Sequence, residues 1–138
     1  MSTMSQDSTI EIDQRVESFF SIFDNRGERA PDFSKLESMF LPGAIITKCC
    51  EGQRETMTLE EFIAPRTELF QSGSLRDFHE WETKASTFVN GITATRICAY
   101  RKEGLLEGKV FSGRGTKSIQ LIKTRKGWQI ISILWEDF

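Results

Sequence analysis

This chain of 138 residues has one histidine, one tyrosine, three prolines and three cysteines, and each shortage narrows what it can be. With a single His and no Cys-x-x-Cys there is no donor set for a structural zinc site, so no metal is expected. Cys49 and Cys50 are adjacent, and neighbouring strand side chains point to opposite faces, so the two cannot chelate one ion. Three cysteines also make no disulfide framework, which fits a reducing, cytoplasmic setting. No apolar run approaches the roughly 20 residues needed to span a bilayer, and Met1–Thr9 lacks the apolar centre of a signal peptide. The formal charge is −2 and the basic residues are scattered, so no face suits nucleic acid. Lys117, Lys123, Arg125 and Lys126 read as a solvated hairpin tip. Gly113-Arg114-Gly115 is no phosphate loop, because no helix follows it; it reads as a bulge or bend, and no cofactor is expected.

The chain does contain eleven Phe and three Trp, enough for a large aromatic core in one domain. Residues 1–9 read as a flexible tail and 10–138 as a single folded unit. Ser8 with Glu11 suits a capping box, and Val16, Phe19, Phe20 and Phe23 recur at helical spacing up to Asp24-Asn25-Arg26-Gly27. A second short helix is predicted from Pro31-Asp32, burying Phe33, Leu36 and Phe40, and stopping at Pro42-Gly43. Ala44–Cys50 and the run to Met57 form a small hairpin around Glu51-Gly52. Thr58 and Glu61 cap a third helix, which Pro65 is expected to kink or break.

Everything after Arg76 is strand-like. Asn90-Gly91 between two alternating runs predicts a two-residue turn in which Val89 faces Ile92. That register sets Trp81 against Tyr100, His79 against Lys102, Ala85 against Arg96 and Thr83 against Cys98, all on one mostly apolar face. Glu80 and Arg101 then form a surface ion pair on the other face. A later hairpin turns at Arg125-Lys126-Gly127, and its last strand is apolar on both sides. Such a strand needs two covers, by helices on one face and by a homodimer partner or a closed, curled sheet on the other. The layout is α+β: about three N-terminal helices wrapped by a strongly curved antiparallel sheet.

This order of elements resembles the nuclear transport factor 2-like superfamily, the cone-shaped barrel fold of SnoaL-like cyclases and ketosteroid isomerases. The likeness covers about residues 10 to 138. It rests on the Phe-rich first helix, Thr58-Leu-Glu-Glu-Phe62, the stretch from Ser72 through Phe78-His-Glu-Trp-Glu82, and Gly127-Trp-Gln-Ile-Ile-Ser-Ile-Leu-Trp-Glu-Asp137. These are packing patterns, so the resemblance implies architecture, with a pocket between helices and concave sheet. It also implies that isomerase-like members use a carboxylate base beside a Tyr-centred oxyanion site, and dehydratase-like members paired His with Tyr and Asp. One His excludes the paired arrangement, and the predicted Trp81/Tyr100 face carries no acid. Asp24 could serve only from elsewhere.

On that face, His79 lies diagonally from Tyr100, roughly 7–8 Å away between backbones. The two form either an acid/base with a phenol donor, or a solvent-facing His and a Tyr stacked on Trp81. Arg96 either anchors an acidic substrate group or closes an internal salt bridge. Cys98 lies too far from His79, about 13 Å along the strand, to be its nucleophile, and reads as a small core residue. The predicted ligand-binding set is therefore Trp81, Arg96, Cys98 and Tyr100, with His79 and Tyr100 catalytic. The expected function is binding of a small, partly apolar molecule, with cofactor-free lyase or isomerase chemistry. The alternative is a non-catalytic dimerisation or protein-interaction module.

Overall fold

The first helix, α1, runs from Thr3 to Ile22 and buries Ile12, Val16, Phe19 and Phe20 along one stripe. The computed structural model describes residues 3–138, with side chains from residue 6. The helix thus starts ahead of the predicted Ser8 cap: Thr3–Thr9, expected as tail, form its first turns, and Ser8 is buried within it. Met1 and Ser2 lie outside the described residues. The predicted second helix is shorter than expected. Asp32 caps a 3-10 turn, Phe33–Lys35, by accepting from the Ser34 N–H, and α2 is the single turn Leu36–Met39. The chain then goes straight into strand β1, Phe40–Cys50, whose pairing slips between Phe40 and Ile45, around Pro42-Gly43. Proline has no N–H for a ladder, and Gly43 takes a φ of 86°.

Glu51 and Gly52 close the expected hairpin to β2, Gln53–Thr58, both at positive φ. Helix α3, Leu59–Gln71, opens on the capping box: Thr58 Oγ1 accepts from the Glu61 N–H and Glu61 Oε1 from the Thr58 N–H. Pro65 does not break it. The bond it removes is at an exposed turn, and the next carbonyls, of Phe62 and Ile63, accept from the side chains of Arg66 and Thr67.

Four long strands follow: β3 Leu75–Asn90, β4 Thr93–Leu106, β5 Lys109–Thr124 and β6 Gly127–Asp137. The sheet order is β2-β1-β6-β5-β4-β3, and β1 runs parallel to β6. The sheet is therefore mixed rather than wholly antiparallel, and open at its β2 and β3 edges rather than a closed barrel. The chain has the expected α+β layout. Phenylalanines knit helices to sheet: Phe23 meets Phe62, Phe62 meets Trp135, Phe33 meets Phe70 and Phe70 meets Phe78, each with centroids within about 6 Å. Such pairs add about 0.5–1.5 kcal/mol each beyond area burial.

Single-residue slips decide which side chains face the helices. At the β3–β4 turn Asn90 pairs with Thr93, so the loop is Gly91-Ile92, with Gly91 at φ 64° in the first loop position. The predicted pairing of Val89 with Ile92 is displaced; Val89 faces Ala94. A bulge at Thr83 then reverses the alternation of β3, so that Glu82, not Trp81, lies opposite Tyr100. A third slip, at Ile131 in β6, puts Trp128, Ile130, Ile133 and Trp135 all on the buried side. The final strand is thus not apolar on both faces in the way its alternation predicts. Only Ile131 and Leu134 remain outside.

Candidate ligand pocket

Between α1, α3 and the concave sheet lies a cavity of about 320 Å³, at the small end of the range for ligand sites. Its walls are aromatic and aliphatic, with Phe19, Phe23, Phe62, Phe70, Phe78 and Trp135 prominent. Its polar groups are Lys48, Arg66, Glu80, Tyr100, Lys102, Lys117 and Asp137.

The register explains the polar end. Across the sheet, Glu82, Tyr100, Gly115 and Asp137 form one row on β3, β4, β5 and β6. A side chain at 115 would fill the space over that strand: a Cβ there would stand 2.5 Å from the Tyr100 hydroxyl. Because the residue is glycine, the Tyr100 ring leans across β5 and its hydroxyl donates to Asp137 Oδ1. Lys102, paired with Gly113, does the same: a Cβ at 113 would meet its Cε at 2.8 Å, and its Nζ donates to Asp137 Oδ2 at 3.2 Å. Neither glycine marks a bulge, since the β4–β5 register is continuous there. Each makes room for a side chain from β4.

Burial and the bond to Asp137 together push the Tyr100 phenol far above its ordinary value. Burial works against the Asp137 carboxylate, but the bonds from Tyr100 and Lys102 outweigh it and hold the carboxyl below its usual range. The result is an anionic acceptor and a neutral phenol side by side. Lys117 sits deeper, its Nζ 3.5 Å from Glu80 Oε2 and 4.3 Å from the centroid of the Tyr100 ring. It belongs to this interior and not to a solvated hairpin tip. Glu80, expected in a surface pair with Arg101, faces inward for the same reason as Glu82.

Of the predicted site residues, Tyr100 alone lines the cavity. His79 pairs with Glu103 and Trp81 with Arg101, and their rings stack on each other 4.5 Å apart on the opposite face. The expected diagonal approach of His79 to Tyr100 on one face does not occur, because the Thr83 bulge turns His79 to the other side of the sheet. Arg96 is the internal salt bridge. Buried to 4% exposure, its guanidinium donates to both oxygens of Glu82 at 2.7 and 2.9 Å, to Asp13 and to Thr87, tying α1 to the sheet. Cys98 faces Ala85 rather than Thr83, and burial, then Glu82, pushes its thiol up to about 12. It is a core residue. Asp24 is taken by Arg26, whose guanidinium holds its carboxyl below the ordinary range.

Sequence reasoning missed Asp137, Lys102 and Lys117. A signal existed in the Gly113-x-Gly115 spacing opposite Tyr100-x-Lys102, legible only once β4 and β5 are in register. Asn25 was missed too: its side chain accepts from the Phe78 N–H at 2.7 Å and donates to the Leu75 carbonyl at 2.8 Å. It thereby bridges a further slip in β3, at Asp77, and sets Phe78 into the cavity wall.

No protein-family model and no curated protein sequence matches the chain. Solved structures do. A Kribbella flavida protein aligns over 96% of this chain and 92% of its own, at 17% identity and a TM-score of 0.80. A nuclear transport factor 2-like superfamily protein from Salmonella enterica serovar Typhimurium aligns over 95% and 91%, at 12% identity and 0.76. A Streptomyces avermitilis protein, provisionally named a dehydratase of the nuclear transport factor 2-like family, aligns over 96% and 97%, at 12% identity and 0.73. The chain therefore has the nuclear transport factor 2-like fold.

Proposed function

We propose that this is a pocket protein that binds a small, partly apolar molecule in the cavity. We further propose cofactor-free lyase or isomerase chemistry centred on Asp137 and Tyr100. The observation that carries it is the row Tyr100–Gly115–Asp137, which puts an anionic acceptor and a phenol donor at the end of an aromatic chamber. Asp137 would take a proton from a carbon beside a carbonyl, and the Tyr100 hydroxyl and Lys102, released from the carboxyl as that proton neutralises it, would turn to donate to the oxygen on which charge builds. Asp137 replaces His79 as the proton acceptor. The Streptomyces neighbour's provisional dehydratase name is consistent with such chemistry.

Calorimetric titration with β-naphthamide, a neutral bicyclic probe, tests the binding half. Saturable binding that is lost in the cavity-blocking variant Leu69→Trp is expected. Absence of saturable binding, or binding unchanged in the blocked variant, contradicts the reading.

A second reading rests on the outer sheet face. Two adjacent rows there, Thr47-Leu134-Ser118-Ile97-Ser86 and Ile45-Ser132-Gln120-Thr95-Phe88, carry no charge. Ile45, Phe88, Ile97 and Leu134 on them are 48–63% exposed. Charge depletion around exposed apolar residues is the composition of an interface core, and a homodimer through this face is the proposed partner.

A further inference from the structure

The whole protein is net negative, yet its cavity is not. Four cations, Lys48, Arg66, Lys102 and Lys117, line it against two carboxylates, Glu80 and Asp137. The carboxylates are already taken: Asp137 pairs with Lys102 and Glu80 with Lys117. Among the described residues, Arg66 and Lys48 have no carboxylate in ion-pair contact. Two positive side chains on the wall of a largely apolar chamber thus have no direct ion pair: Glu80, Asp137 and Glu55 act on Arg66 only at longer range, and Glu55 stands opposite Lys48 in the β1–β2 register without closing a bridge to it.

Arg66 is also held in position. Its Nη1 donates to the Phe62 carbonyl at 2.9 Å, and its guanidinium lies 3.8 Å above the Phe62 ring and 5.6 Å from the Trp135 ring. Those contacts fix the plane of the group and occupy one of its N–H donors, leaving the others free. Burial pushes its pKa below the ordinary value and outweighs the more distant charges of Glu80, Asp137 and Glu55, so this charge is held against a penalty that a bound anion would relieve. Lys48 projects from β1 beside Trp135 and lines both this cavity and a neighbouring cleft bounded by Arg54, Glu55 and Asp137. It stands where a ligand entering from that side would pass.

We infer that the ligand of this cavity is a small carboxylate with an aromatic or alicyclic body, its acid group received by Arg66 with Lys48 and its body lying against Phe23, Phe62 and Phe70. The inference rests on the reading above, that the cavity binds a small, partly apolar molecule. A fixed guanidinium fork matches a planar carboxylate, and a stem stacked on an aromatic ring loses little freedom when it binds. Before any ligand arrives, the pairs Lys102–Asp137 and Lys117–Glu80 balance each other's charge, so the incoming acid group meets the two cations that have no direct ion pair. This role is distinct from the one expected of Arg96, whose donors are consumed within the protein.

The test compares two probes of the same shape and different charge, β-naphthoate and β-naphthamide, titrated by calorimetry into the full chain. The wild type should bind the naphthoate on the order of tenfold more tightly, the scale of one charge-assisted hydrogen bond. Arg66→Gln should abolish that preference, bringing the two affinities within about twofold of each other. Lys48→Gln, on a half-buried strand position, should reduce it, and provides the readout if Arg66→Gln does not fold. Equal affinity for the two probes overturns the carboxylate inference and leaves the pocket reading standing. A preference that survives in both variants, or in Lys48→Gln alone where Arg66→Gln does not fold, also overturns it. Failure of both probes to saturate removes the pocket reading itself.

Discussion

The Tyr100 hydroxyl reaches Asp137 by crossing an entire intervening strand, over the bare backbone of Gly115. The contact depends as much on a missing side chain as on the two that meet. Gly115→Ala should therefore move Tyr100: its Cβ would stand 2.5 Å from the hydroxyl and closer still to the Glu136 carbonyl, and the backbone cannot give way. A loss of about 1–3 kcal/mol is expected in urea unfolding. Gly113→Ala should cost less, because its Cβ meets the movable end of Lys102. Equal costs at the two sites would contradict this account.

Arg96 closes a network between helix and sheet, and its partner Glu82 is largely withdrawn from solvent, its side chain 18% exposed. Arg96→Ala leaves that carboxylate without its partner, and a destabilisation of about 3 kcal/mol or more is expected by chemical denaturation. A near-neutral variant would show that the bridge contributes little and reopen a ligand role for this residue.

Chemistry at Asp137 predicts exchange of carbon-bound protons. β-Tetralone, a neutral bicyclic ketone, should exchange the hydrogens beside its carbonyl with deuterated water faster in the protein's presence, followed by proton NMR. Asp137→Asn should remove the acceleration, and His79→Ala, on the other face of the sheet, should leave it unchanged. Acceleration that depends on His79 instead would reverse the assignment.

The outer face predicts oligomeric state. Ile97→Asp or Leu134→Asp places a charge in the middle of the uncharged rows and should convert a dimer to a monomer in light scattering after size exclusion. A wild-type chain that is monomeric at high concentration would end the dimer proposal.

Local chemistry made much of the fold legible. Thr58 and Glu61 announce α3, Glu51-Gly52 the first hairpin, and the spacing of Val16, Phe19, Phe20 and Phe23 the buried stripe of α1. What sequence could not show is where an alternating strand changes face. The bulges at Thr83 and Ile131 leave no local mark, because what favours them is distant. Turning Glu82 and Glu80 inward satisfies Arg96 and Lys117 on two other strands, and turning Trp128 and Ile130 inward fills the space beneath α1. One bulge moved His79 and Trp81 out of the site and brought two carboxylates in. The site's acceptor, Asp137, is a neighbour of Tyr100 only through two successive hairpin registers, β4–β5 and β5–β6, the second of them shifted by the slip at Ile131.

Tyr100 is the only tyrosine, so its ionisation can be followed alone by the ultraviolet absorbance of phenolate. Its pKa is raised in the folded protein, so its contribution to stability is complete below the free value of about 10 and declines as the pH rises beyond it. The native chain should therefore show almost no phenolate at about pH 11, and the signal should appear only together with unfolding. A phenolate midpoint near 10 in the folded protein would mean that Tyr100 does not lie buried against Asp137, and the site built on that contact would be wrong.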